Sequence, residues 1–126
     1  MCGIVGHIGK KKTKEILLSG LQELEYRGYD SAGIALLHQG HFYTYKAVGK
    51  LHNLVEKSNS LMIEGFSLGI GHTRWATHGK PTEANAHPHN GRYTYIVHNG
   101  IIENNQLLNQ HDVDMPRNLA KSVTVE

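Results

Sequence analysis

The stretch from Ala32 to Val48 constrains the fold most. An unbroken apolar segment, Ala32 to Leu37, meets a Gln39-Gly40 turn and then an alternating run, Phe42 to Val48. That order reads as a β-hairpin, so antiparallel sheet forms part of the architecture. Cys2 to Gly9 reads as an earlier strand, its glycines spaced as they are where another backbone or a ligand comes close. Between the two, Leu17, Leu21 and Leu24 recur at helical spacing as one apolar stripe. Thr13 is placed to cap that helix and Arg27-Gly28 to end it. A short helix is expected over Leu51 to Lys57, and further strands over Leu68 to Thr73 and Tyr93 to His98. The polar segment between those strands, Arg74 to Arg92, is too long for a simple turn, and long loops usually carry function. These elements suit an α+β layered arrangement with mostly antiparallel sheet. After Leu108 neither periodicity persists, Pro116 intervenes, and nothing is expected to complete the sheet.

Composition removes several function classes. At 126 residues, 39% hydrophobic and 19% charged, the chain is of single-domain size and globular. Its 13 basic and 11 acidic residues are dispersed, without the concentrated positive field that nucleic acid requires. No apolar run approaches the roughly 20 residues of a membrane span. The first residues carry neither a basic region nor a long apolar one, so no secretory signal and a cytoplasmic location are expected. One cysteine makes no disulfide framework, which fits a reducing compartment and directs attention to Cys2 as a reagent.

Removal of Met1 places the thiol and the α-amine of Cys2 on one residue, where a gauche rotamer brings sulfur and nitrogen to about 3 Å. The amine is then a suitable base, because the reference values of α-amine and thiol lie so close that moving the proton costs only ~1 kcal/mol. The bland reading of a lone cysteine is a small buried hydrophobe. A nucleophile of this type makes a tetrahedral oxyanion that needs fixed donors, and Asn99-Gly100 supplies a side-chain amide and a bare backbone N–H. The same dipeptide is also a common hairpin turn. Arg74, at the end of a strand where a long loop begins, suits a substrate carboxylate, although on its own it reads as a solvated charge. Histidine is over-represented, with His72, His78, His87, His89 and His98 in the second half. A metal site therefore has to be considered. No HExxH occurs, no second cysteine is available and no carboxylate stands at ligand spacing, so no metal is expected. Neither phosphate-loop pattern, GxxxxGK[ST] or GxGxxG, is present.

Five segments taken together go further than any one of them: CGIVG at the start, LEYRGYDSAGIA from Leu24, GIGHTRWATHG from Gly69, NAHPH from Asn85 and HNGIIEN from His98. Over residues 2 to about 108 the chain resembles the glutaminase domain of the glucosamine-6-phosphate synthases, a family of N-terminal-nucleophile, class II glutamine amidotransferases. The resemblance implies a partial αββα sandwich and no cofactor. It implies Cys2 as the nucleophile toward L-glutamine, with its amine as base and Asn99 and Gly100 as oxyanion donors. It further implies Arg74 on the substrate's α-carboxylate, Thr77 and His78 in the same binding loop, Trp75 gating ammonia, and Arg27 ordering the site beside the nucleophile. In that family ammonia passes to a separate domain that converts fructose 6-phosphate, and the enzymes are typically dimeric.

Past Leu108 the resemblance changes character. DVDMPRNLAKSVTVE is similar to the family's extreme C-terminal tail, where a lysine forms a Schiff base with the sugar, and Lys121 matches that lysine. The expected division is a partial glutamine amidotransferase domain over 1–108 and a tail over 109–126. The family's ammonium-binding aspartate has no match, and Asp112 and Asp114 belong to the tail. Impaired glutamine hydrolysis is therefore expected. The alternative is a remnant that binds glutamine, or pairs with an intact subunit, without turnover.

Overall fold

The computed structural model describes residues 2–76 and 79–99. Strand β1 (Gly3–Gly9) leads into helix α1 (Thr13–Glu23) and a single 3-10 turn, Glu25–Arg27. The hairpin β2 (Ser31–His38) and β3 (His41–Val48) follows, then helix α2 (Leu51–Lys57) and strand β4 (Ser67–Arg74). Two short strands, β5 (His89–Asn90) and β6 (Tyr95–Ile96), complete the described elements. The hairpin turns where expected: Gln39 and Gly40 both have positive φ, 48° and 77°, the geometry that matches the twist of the flanking strands.

β1 to β4 form one antiparallel sheet in the order β1-β4-β2-β3. Alternation divides its residues between two faces. On one face Ile34 and Leu36 of β2 meet Leu17 and Leu21 of α1 and Leu54 of α2, all buried. Each such side chain contributes about 1.5–3 kcal/mol on leaving water, so this layer is the principal core. On the other face lie Ile4, His72, Gly33 and Lys46 in one row, with Ile8, Leu68, Leu37 and Phe42 further along. The β5–β6 pair lies over this second face, where the Tyr95 ring meets Phe42 at 4.9 Å between centroids. Helices, sheet and second small sheet give the α+β layering expected, a partial αββα sandwich. No helix among the described residues is long and apolar enough to cross a membrane.

Three local expectations require correction. Thr13 is not the helix cap: Lys12 occupies that position without a side-chain cap bond, while Thr13 is buried inside the first turn. Its hydroxyl meets Ser67 Oγ at 2.6 Å and His7 Nδ1 at 3.0 Å, so bonds to the strand ends have displaced the local one. Helix α1 ends at Glu23, and the 3-10 turn carries the chain on to Gly28. The strand expected over Tyr93 to His98 shrinks to Tyr95–Ile96, because Val97 to Asn99 leave β5 and run toward the amino-terminal end of β1.

Candidate active site

The register of β1 on β4 builds the site. Gly3 pairs with Thr73, and Gly3 N–H also donates to Thr73 Oγ1 at 3.1 Å, so Cys2 emerges beside the Arg74 end of β4. Cys2 is half-buried, and Trp75 N–H points at its sulfur across 3.4 Å. From the other side of the chain Asn99 approaches, its side-chain amide donating to Cys2 O at 3.5 Å. Residues 2, 74, 75 and 99 are thereby gathered at one end of the sheet.

Arg74 departs from the solvated charge of the bland reading. It is 1% exposed, and its guanidinium donates to Lys80 O at 3.2 Å and Gly79 O at 3.4 Å. Burial lowers its pKa, an effect opposed by the nearby charges of Asp30 and Cys2. Asp30 fastens the same strand end. Its N–H donates to Arg74 O at 2.7 Å, and its Oδ2 accepts from Ala76 N–H. Trp75 lies between these two bonds with its indole half-exposed, stacked over Gly28, where an added Cβ would stand 3.0 Å from the ring. Arg27 closes the 3-10 turn immediately before Gly28 and so shares the segment under Trp75. Thr77, His78, Gly100 and Lys121 lie outside the described residues.

The histidines form a second feature that pattern alone does not reveal. His72, His87 and His89 are each at most 1% exposed. The rings of His72 and His87 stack at 4.0 Å and 17°, and His89 tilts against His87 at 4.5 Å. Desolvation lowers all three pKa values, His72 to about 4 and His89 to about 3, and the positive neighbours Lys46 and Arg74 add to the effect at His89. Residues so disposed are neutral near pH 7. No group of three or more His, Cys, Asp or Glu able to hold a metal occurs among the described residues. A groove of about 270 Å³ opens at the far end of the same face, lined by Leu37, Phe42, Leu68, Ile70 and Tyr95 among others. It is apolar and stands rows away from Cys2, so it plays no part in the site.

No family model matches the chain. Curated proteins do. An isomerizing glutamine–fructose-6-phosphate aminotransferase of Campylobacter jejuni is 62% identical over 104 residues, which are 82% of this chain and 17% of that protein. The enzyme of the same name from Acinetobacter baylyi is 58% identical over 108 residues, 86% of this chain and 18% of the relative. That of Pyrococcus horikoshii is 54% identical over 111 residues, again 86% and 18%. The chain is a relative of the glutamine–fructose-6-phosphate aminotransferases. It spans less than a fifth of the length of these aminotransferases.

Three contributors to the site were missed in the sequence. Asp30 stands within YRGYDSAG but received no role, since its carboxylate acts on an amide 46 residues away. His72 and His87 were grouped only as candidate ligands. The alternation of β4 does place His72 on the face of Ile70 and Arg74, and this was the available signal.

Proposed function

We propose that the chain is the glutamine-hydrolysing part of a glutamine–fructose-6-phosphate aminotransferase and that Cys2 is its nucleophile. The convergence of Trp75 N–H and the Asn99 amide on Cys2, beside a buried Arg74, is the observation that carries this reading. Once Met1 has been removed, the α-amine of Cys2 takes the thiol proton and the sulfur attacks the carboxamide carbon of glutamine. Negative charge gathers on the amide oxygen, where the Asn99 side chain and the Gly100 N–H donate to it. The amine returns its proton to the leaving nitrogen, ammonia departs, and water cleaves the γ-glutamyl thioester. Arg74 holds the α-carboxylate of glutamine with help from Thr77 and His78, Trp75 gates ammonia, and Arg27 orders the loop beneath it. No cofactor is required.

On this reading residues 1–108 belong to the glutaminase domain and 109–126 to a tail bearing Lys121, whose sugar-binding counterpart lies in the longer relatives. Fructose 6-phosphate is a substrate only of such a longer protein, which acts in the cytoplasm as a dimer. Hydrolysis by the present chain is weakened where the ammonium-binding aspartate has no match, by about 2–4 kcal/mol in transition-state binding. Mass spectrometry of the purified chain followed by an ammonia-release assay tests the proposal. Loss of the Met1 mass, and glutamine-dependent ammonia that disappears in Cys2→Ser, are expected. Retention of Met1, or ammonia release unchanged in Cys2→Ser, overturns it. Saturable glutamine binding without ammonia is the outcome of a chain that binds but does not turn over.

A further inference from the structure

We propose that His72 and His87 are positioning residues that hold His98 by its N–H and its carbonyl and thereby set Asn99 against Cys2. The inference rests on the reading of Asn99 as an oxyanion donor and adds the device that places it.

The geometry assigns a proton to each ring. His72 Nε2 is 3.1 Å from His98 O, and a carbonyl oxygen only accepts, so His72 carries its proton on Nε2. Its Nδ1 is then a bare lone pair, and this is the atom that finds no partner among the described residues. An unmet acceptor costs less than a buried orphan N–H, so this tautomer is the one the site favours. His98 N–H in turn points at His87 Nδ1 across 3.3 Å, so that nitrogen must be unprotonated to accept. One ring donates and the other accepts, and the two stack face to face at 4.0 Å.

The consequence is local and specific. The N–H of His98 belongs to the peptide plane before its Cα, and the C=O to the plane after it. Fixing both planes fixes φ and ψ of His98, and the second plane delivers Asn99. Asn99 is exposed, and among the described residues its side-chain amide donates to Cys2 O at 3.5 Å, which holds it beside the proposed nucleophile. Without the pair of rings, the direction of the Asn99 side chain would depend on a loop alone.

The grip depends on a neutral His87 ring, and the surroundings keep it so. Lys46 faces the cluster from β3, Arg74 and His72 from β4, and His89 and His98 from the covering segment, while Asp30, the nearby carboxylate, acts on Arg74. A proton on His87 Nδ1 would set donor against donor at His98 N–H.

Two substitutions separate the grip from packing. His87→Asn keeps an acceptor oxygen near the place of Nδ1, and His87→Phe keeps the ring and its stack without the acceptor. Amide hydrogen exchange is read at His98 and, as an internal control, at Gly71 in the centre of β4. The wild-type chain and His87→Asn should protect His98 alike. His87→Phe should speed its exchange at least tenfold and leave Gly71 unchanged. In the ammonia-release assay His87→Phe should lower kcat about tenfold with KM within twofold, and His87→Asn should restore it. Equal His98 protection in all three proteins overturns the proposal. So does loss of protection at His98 and Gly71 together, or an unaltered kcat once His98 is freed. Should the wild-type chain release no ammonia, the reading of Cys2 fails, and the exchange comparison alone still decides whether the rings hold His98.

Discussion

Gly33 lies directly beneath the carbonyl of His87: a Cβ added at Gly33 would stand 2.0 Å from that oxygen. The covering segment therefore rests on bare backbone of β2, and the absence of a side chain there permits the histidine stack. Gly33→Ala should push residues 87–89 outward, destabilise the protein by about 1–3 kcal/mol and loosen His98 with it. Thermal melting together with exchange at the His98 amide checks this. An alanine variant with an unchanged melt would mean that the segment is seated elsewhere.

Acid should weaken the fold before the carboxylates titrate. His72 and His89 have folded pKa values of about 4 and about 3, below the ~6.5 of an unfolded histidine. Their contribution is thus full above about pH 6.5. Below it the unfolded chain binds protons that the folded rings refuse, and stability falls by about 1.4 kcal/mol per pH unit for each ring. The loss from His72 is complete near pH 4 and that from His89 near pH 3. Urea midpoints should be level above about pH 6.5 and fall steadily from there to pH 5, and His89→Gln should flatten that slope. A midpoint independent of pH over that range would contradict the burial of neutral rings.

Helix α1 starts badly. Lys12 stands at its cap position without a side-chain bond, with Lys10 and Lys11 before it and Glu15 three residues on. Clustered positive charge opposes the positive end of the helix dipole. Lys12→Ser would complete a capping box with Glu15 and should stabilise the protein by about 1 kcal/mol, seen as a rise of a few degrees in Tm. No rise would show that the Lys12 backbone is held by the Thr13 bonds to β4 and not by capping.

Arg74 is held as a fork by the carbonyls of Gly79 and Lys80. Arg74→Lys keeps the charge and loses the planar pair of donors. The KM for glutamine should rise about 10- to 100-fold, equivalent to ~1–3 kcal/mol, with a smaller change in kcat. Steady-state ammonia release measures both. A change confined to kcat would place Arg74 on the reacting amide instead of the carboxylate.

Much of this architecture was legible in the residues. The Gln39-Gly40 turn and the bounds of α2 follow from local chemistry, since turn geometry and an apolar period need only neighbours in sequence. Leu17 and Leu21 likewise announced their buried face. Thr13 misled because its hydroxyl had distant partners, Ser67 and His7, that no local pattern contains. The histidine stack was illegible for the same reason. His72, His87 and His89 become neighbours only when the segment after β4 folds back over Gly33. Cys2 and Asn99 were named from chemistry, whereas the two rings that bring the latter into place belong to tertiary structure.

Among the described residues β1, the strand that follows Cys2, pairs with β4 alone, and the partner of Gly3 lies 70 residues further along the polypeptide. During synthesis this end cannot pair with β4 until Arg74 has left the ribosome, while β2 and β3 can close on each other at once. On the proposed reading, a peptidase trimming Met1 from the nascent chain would meet a terminus not yet paired with β4. If Cys2 is the nucleophile proposed above, the topology of the sheet orders its maturation ahead of the docking of β1.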